Sequence, residues 1–348
     1  MTQQTKIEWT DYTVNFWEGC QKVGPGCDHC YAEARDTRFT GGKHWGPGAP
    51  RRYVKGGIAK LRKINREAEQ FNAKHGRWPR VFCSSLSDIF DNAVDPAWRA
   101  EAFKELTSAT NTRPQLLTKR IGNVFQMIPP AWASKQMGGW PKHIGLMITV
   151  VNQAEADRDI PKLLELGSRL KIPWIGLSME PLLGPVDLTA IPDPSGLAHS
   201  YIDALRGKFW MPPEKVDWPT QARPVNGRLN VNLCNWINWV IVGGESGHHA
   251  RPTHPDWIRS LRDQCAAAGT PFLFKQWGEW AVAVDREQDD PDWRADYSND
   301  YKDRGKTRWI NLEGGRGFHG ERFHVMRRIG KARAGRLLDG VEWNGVST

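Results

Sequence analysis

The segment Gly19-Cys20-Gln21-Lys22-Val23-Gly24-Pro25-Gly26-Cys27-Asp28-His29-Cys30-Tyr31 carries three thiols within eleven residues. Its glycines and proline let the backbone wrap tightly enough for Cys20, Cys27 and Cys30 to converge. Three thiolates without a neighbouring fourth suit an iron–sulfur cluster with one iron left open, or a zinc ion completed from elsewhere. His29 and His44 are the nearest candidates to complete a zinc site, but ribbon-type sites bring a second cysteine pair, which the sequence lacks. A third reading is a structural cluster whose three cysteines only staple the fold. The remaining cysteines, Cys83, Cys234 and Cys265, are scattered, and six in 348 residues are too few for a disulfide scaffold. Cys83 sits in an apolar run and reads as a small core residue.

Such a loop needs a frame. Apolar runs rich in β-branched or aromatic residues recur at 14–17, 81–84, 115–118, 144–151, 174–178, 239–243 and 271–275. Helical patterns fall between most of them, at about 56–74, 97–109, 154–170 and 255–268, and Asp95-Pro96 and His254-Pro255 read as helix starts. Alternating β and α with apolar strands predicts an α/β fold with a parallel sheet covered by helices. The number of units favours a partial or complete parallel β/α barrel over a doubly wound sheet. The expected organisation is a barrel over residues 1–280 with an inserted cap at 187–235, an acidic linker at 281–300 and a basic C-terminal extension at 301–348.

β/α barrels collect ligand groups at the C-terminal ends of their strands, which singles out further residues. Gly243-Gly244-Glu245-Ser246 follows the sixth run; its glycines permit close backbone approach, and its carboxylate suits an ammonium group. Ser84, Ser85 and Asp88 follow the second run, and Asp88 either accepts from a ligand or caps a loop. Glu180 ends the fifth run as a candidate acceptor. Lys119 and Arg120 end the third and suit a carboxylate or phosphate, or a rim ion pair. Thr149 and Asn152 lie near the end of the fourth, and nothing places His248 or His249 at a reaction. Neither a Walker-type phosphate loop nor a Gly-x-Ser-x-Gly nucleophile elbow occurs.

The thiol loop resembles a variant of the radical S-adenosylmethionine (radical SAM) motif. It has six residues between its first two cysteines instead of three, and His29 where an aromatic usually precedes the third. Ser84-Ser85-Leu86-Ser87-Asp88-Ile89-Phe90, Leu117-Thr118-Lys119-Arg120, Ser178-Met179-Glu180-Pro181, Val242-Gly243-Gly244-Glu245-Ser246-Gly247 and Phe274-Lys275-Gln276-Trp277-Gly278-Glu279 extend the likeness. Together with Gly335-Arg336-Leu337-Leu338-Asp339-Gly340 they resemble a phage-associated three-Cys-motif family, a divergent branch of radical SAM proteins. The resemblance implies a [4Fe–4S] cluster on Cys20, Cys27 and Cys30 whose open iron binds S-adenosylmethionine. It implies cleavage of the sulfonium to a 5′-deoxyadenosyl radical that abstracts hydrogen from a substrate. It also implies that Ser84, Ser85, Asp88, Glu180, Gly243, Gly244, Glu245 and Ser246 contact the cofactor.

Composition limits the setting. With 39% hydrophobic and 25% charged residues the chain is ordinary for a soluble protein. It lacks an apolar run long enough to span a membrane, and its N-terminal stretch lacks the apolar core of a secretory signal, so a cytoplasmic location is expected. The net charge of +9 is uneven. Residues 281–300 are acidic, whereas 301–336 hold eleven bases with Trp309, Phe318 and Phe323 among them. Bases interleaved with aromatics suit phosphates and stacked bases, so a nucleic acid or nucleotide is the expected substrate. An electron donor and a partner protein complete the expected partners. The competing reading is a zinc-binding nucleic-acid-binding protein without redox chemistry.

Overall fold

The computed structural model describes residues 2–195, 199–211, 231–232, 235–287, 306–314 and 322–346. Seven strands form one sheet in sequential order: β1 (Tyr12–Val14), β2 (Arg80–Cys83), β3 (Arg113–Thr118), β4 (Gly145–Thr149), β5 (Ile175–Met179), β6 (Trp239–Gly243) and β7 (Phe272–Gln276). Parallel pairing runs from β1 to β5 and between β6 and β7. The order never reverses, which excludes a doubly wound sheet, and β1 and β7 are edges, so the fold is the partial form of the β/α barrel. Five longer helices accompany the strands: α1 (Tyr31–Thr40), α2 (Gly57–His75), α3 (Pro96–Ser108), α4 (Gln153–Leu170) and α5 (Pro255–Ala268).

The chain divides into two compact units, one comprising Met1–Thr149, Pro161–Ser178 and Leu233–Asn238, the other Val150–Ile160, Met179–Asn232 and Trp239–Thr348. In the first, Ile58, Leu61, Ile64, Ala68 and Phe71 recur at three- and four-residue spacing along one face of α2 and are all buried. Phe71 meets Tyr12 of β1 with ring centroids 6.1 Å apart. Burial of each large aliphatic side chain stabilises by roughly 1.5–3 kcal/mol, which is why a helix with an otherwise charged surface docks here. Every residue of β4 is buried. Gly145 opens that strand because the Trp174 ring covers it; an added Cβ would lie 1.9 Å from the indole. α3 starts as the sequence predicts, with Asp95 Oδ1 accepting from Ala97 N at 2.8 Å and Pro96 in the first turn.

In the second unit α5 starts at His254, whose Nδ1 accepts from Asp256 N at 3.1 Å, and ends at Gly269 in the left-handed conformation. The region expected as a cap contributes a small antiparallel sheet of Ile191–Pro192, Tyr201–Asp203, Lys208–Trp210 and Val231–Asn232. A three-stranded antiparallel sheet follows, made of β8 (Trp280–Glu287), β9 (Thr307–Asn311) and β10 (Arg322–Arg328), with β10 in the middle. Residues 281–287, expected within an acidic linker, are therefore strand, because the β-favouring run Trp280-Ala281-Val282-Ala283-Val284 precedes most of the acids. Residues 288–305, with the rest of that linker, and 315–321, with Phe318, lie outside the described residues.

Two local features differ from the sequence expectation. The first strand occupies Tyr12–Val14 and not 14–17, because Trp17–Glu18 leaves the sheet to pair with Arg52–Tyr53. Gly57 permits this close turn; a Cβ there would lie 2.3 Å from Asn15 O. Helix α1 had no counterpart among the helical patterns, since it buries only Ala32 and Asp36 and exposes Tyr31 and Phe39, leaving no apolar stripe. Among the described residues no helix is long and apolar enough to cross a membrane. Replacing the α3 cap, Asp95→Ala, is expected to lower unfolding stability by about 1 kcal/mol in urea titrations, with the fold retained.

Candidate functional site

In the first unit the thiol loop is clasped on both sides by backbone. Gly19 N donates to Leu86 O at 3.1 Å and Gly46 N to Cys20 O at 2.9 Å. Gly19 has φ +107°, and a Cβ there would meet His44 O at 2.4 Å, so glycine is required immediately before the first thiol. Cys27 ends a tight turn over Pro25–Cys27, and Cys30 stands at the N-terminal cap of α1. All three thiols are free; Cys27 is buried, whereas Cys20 and Cys30 are half-buried.

Burial pushes the Cys20 thiol up to about 11, against the opposing pull of the Arg120 guanidinium. Burial also raises Cys30, while the first-turn amides of Ala32 and Glu33 and the Lys119 ammonium act in the other direction. Arg120 Nη1 donates to Cys20 Sγ at 3.4 Å and to Asp88 Oδ2 at 3.0 Å, and Nη2 donates to Gln21 O at 2.9 Å. Burial disfavours the charged guanidinium, but Asp88, Cys20 and Asp91 outweigh it and hold Arg120 firmly protonated. Asp88 is buried and fully engaged, accepting from Phe90 N, Thr118 Oγ1, Lys119 N and Arg120. Its carboxylate thus orders the ends of β2 and β3 around Arg120.

The structure places the other candidates of this unit beside the same loop. Ser85 exchanges hydrogen bonds with Asn15, and its carbonyl accepts from Tyr31 Oη. Ser84 Oγ is buried with no hydrogen-bond partner among the described residues. His44 is held by Asp36, with Nδ1 2.9 Å from Oδ1 and its backbone N donating to Oδ2 at 3.0 Å. Despite burial, the His44 and Thr40 hydrogen bonds hold the Asp36 carboxyl below the usual carboxylate range. Sequence reasoning missed Asn15, Asp36, Arg51 and Asp91. Asp91 directly follows the Ser84–Phe90 motif and was the one with a visible signal.

In the second unit the expected strand-end residues pack against one another. Gly244 abuts Trp277, where a Cβ would lie 1.9 Å from the carbonyl oxygen, and Gly243 abuts the Glu180 carboxylate. Glu180 pairs with Lys275 at 3.0 Å. Glu245 is buried and clasps Arg251, accepting from its Nε at 2.8 Å, its Nη2 at 2.7 Å and its backbone N at 2.7 Å. Ser246 Oγ accepts from Gln276 Nε2 at 2.9 Å, and Gln276 Oε1 is buried without a partner among the described residues. Asn152 caps the start of α4 by accepting from Glu155 N. His248 and His249 are exposed and contact each other.

Part of the basic C-terminal surplus is used internally. Arg328 Nη2 donates to Gly247 O at 2.9 Å, and Arg308 lies over the Trp280 ring. Cys83 is fully buried in β2, and burial pushes Cys265 up to about 12. Cys234 lies outside the described residues.

Two measurements follow from these environments. Raised thiols are protonated at pH 8, so in metal-free protein Cys20 and Cys265 are expected to react with iodoacetamide more slowly than free cysteine, as peptide mapping would show. The lowered Asp36 carboxyl contributes stability that is complete above about pH 4 and lost as pH falls through its depressed value. Asp36→Asn is therefore expected to flatten the acid side of the stability profile, measured as urea midpoints across pH.

Among solved structures the chain is similar to spore photoproduct lyase. A Cys-to-Ser mutant of that protein is 12% identical with a TM-score of 0.35, covering 93% of this chain and 71% of that one. A Cys-to-Ala mutant with dinucleoside spore photoproduct is 13% identical with a TM-score of 0.36, covering 94% and 71%. A double mutant with bound AdoMet and dinucleoside spore photoproduct is 12% identical with a TM-score of 0.33, covering 92% and 71%. No curated protein matches the chain. The match that spans nearly the whole sequence, residues 4–347, is to the family described as "Protein of unknown function (DUF5131)", and the chain belongs to that family.

Proposed function

We propose that the chain is a radical SAM-like enzyme in which Cys20, Cys27 and Cys30 hold a [4Fe–4S] cluster and S-adenosylmethionine is the second cofactor. The observation that carries this reading is the donor set itself: three free thiols on one loop, with a guanidinium donating to Cys20 Sγ and a helix N-terminus at Cys30. Thiolates need this kind of compensation when they are removed from water. The buried Ser84 hydroxyl, which has no hydrogen-bond partner among the described residues, lies next to Ser85, whose contacts include Asn15 and Tyr31, and adds a donor there. When bound, such a cluster supplies the electron that cleaves the sulfonium of S-adenosylmethionine.

The chain's own residues then bind, orient and exclude water. Cys27 is buried and the other two thiols are half-buried, which limits solvent at the loop. Arg120 and Asp88 hold the loop in register with the ends of β2 and β3. In the second unit, Gly243 leaves room for the Glu180–Lys275 pair, a carboxylate and an ammonium suited to the polar groups of an amino acid or sugar. Glu245 already clasps Arg251, so its role in this reading is to fix the Gly243–Ser246 turn. The substrate we assign is a nucleic acid or nucleotide, on the strength of the basic, aromatic 301–336 segment.

Anaerobic reconstitution is expected to give brown protein with about four iron and four sulfide per chain. Cys20→Ala, Cys27→Ala and Cys30→Ala should each lose the cluster, while Cys265→Ala keeps it. Adding S-adenosylmethionine to the reduced protein should change its electron paramagnetic resonance spectrum and release 5′-deoxyadenosine slowly. Stoichiometric zinc with no visible absorption would overturn the proposal in favour of a zinc-binding protein without redox chemistry.

A further inference from the structure

Beneath the thiol loop lies a group of buried charges. Arg51 Nε donates to Asp91 Oδ2 at 2.7 Å, and its Nη1 donates to His44 O and Ala49 O. Arg99, from α3, donates to Ile89 O and Asp91 O, fixing the turn that carries both aspartates. Arg120 pairs with Asp88 at 3.0 Å, lies 3.9 Å from Asp91, and reaches Cys20 Sγ. All five side chains are buried, with Asp91 wholly inaccessible and Arg120 9% exposed. Three guanidiniums against two carboxylates leave one positive charge in excess within the group, and the sulfur it contacts among the described residues is that of Cys20.

A buried charge surplus is costly unless an anion faces it. A cluster held by three thiolates is anionic and gains a further negative charge when it takes up an electron. We propose that the Asp88–Asp91–Arg51–Arg99–Arg120 group sets the reduction potential of the metal group at Cys20, with Arg120 as the positioning residue that delivers its positive charge to the ligating sulfur. A cation at hydrogen-bond distance from a ligand sulfur stabilises the reduced state most, because that state carries the most negative charge; in a poorly solvated site the effect is strong. The charge acts on the sulfur, and the fork geometry holds the loop that carries it. Arg120 contacts the sulfur, the Asp88 carboxylate and the Gln21 carbonyl together, which a lysine ammonium on its flexible stem cannot do.

The inference rests on the cluster reading above, and one experiment separates their failures. Wild-type protein, Arg120→Gln, Arg120→Lys and Asp88→Asn are reconstituted, assayed for iron and sulfide, and titrated with a reductant while electron paramagnetic resonance follows the reduced state. Arg120→Gln should shift the midpoint to more negative potential, because a positive charge is lost from the sulfur. Asp88→Asn should shift it in the opposite direction, because Arg120 is then less neutralised. Arg120→Lys should restore most of the Arg120→Gln shift while holding less iron than wild type. Opposite shifts are the discriminating result, since a merely structural role would alter iron content and melting temperature without giving the two variants opposite signs. Unchanged midpoints in fully loaded variants, or shifts of the same sign, would overturn the inference; if wild-type protein takes up no iron, it is the cluster reading that falls. Should Arg120→Gln fail to load, the rise in Asp88→Asn and the near-wild-type value in Arg120→Lys carry the test.

Discussion

Arg120 is buried with its guanidinium divided among a thiol, a carboxylate and a backbone carbonyl, and that arrangement constrains the whole first unit. A guanidinium in such surroundings keeps its charge only if acceptors are fixed around it, so Asp88 and Asp91 must lie on one turn at the end of β2. The turn is in turn held by Arg51 and Arg99. Thr118 and the Lys119 amide complete the coordination of Asp88, which ties the end of β3 to that of β2. The thiol loop closes over this assembly, with Gly19 allowing the backbone to pass His44 where any side chain would collide.

The second unit solves its strand-end geometry differently, through close backbone approach. Gly244 and Gly278 bring the turn after β6 against the turn after β7; a Cβ on either would lie about 2 Å from a carbonyl oxygen of the other turn. The Glu245–Arg251 clasp then fixes the turn from outside its backbone. In that clasp the Glu245 carboxylate accepts three hydrogen bonds from one arginine, two at Oε2 and one at Oε1. Glu180, with a single lysine partner among the described contacts and partial exposure, is the more adaptable acid of this unit.

Among the described residues charge follows one rule: where it is buried, it is paired or bonded to backbone. Asp36 with His44, Asp88 with Arg120, Asp91 with Arg51 and Glu245 with Arg251 all obey it. The basic C-terminal segment obeys it in part, because Arg328 and Arg308 are turned onto a carbonyl and an indole. That segment is built as strands β9 and β10 where it is described, with Arg308 opposite Met326 and therefore on the same face as Arg328.

The sequence by itself determined the sheet and most of its helices. Buried parallel strands require unbroken apolar runs, and helix starts such as Asp95-Pro96 and His254-Pro255 are local signals, so both were legible without neighbours. It also determined the thiol loop, because cysteine spacing and glycine content are properties of one short segment. It did not determine α1, whose two buried residues make no periodic stripe, or the position of β1, which depends on Trp17–Glu18 pairing with Arg52–Tyr53 farther along the chain. Only the tertiary structure decided that Arg51, Asp91 and Arg120, up to 69 residues apart, share one buried group beneath Cys20. The reason is physical: hydrophobic patterning is read within a few residues, whereas compensation of a buried charge is settled by whichever groups the fold brings within a few ångströms.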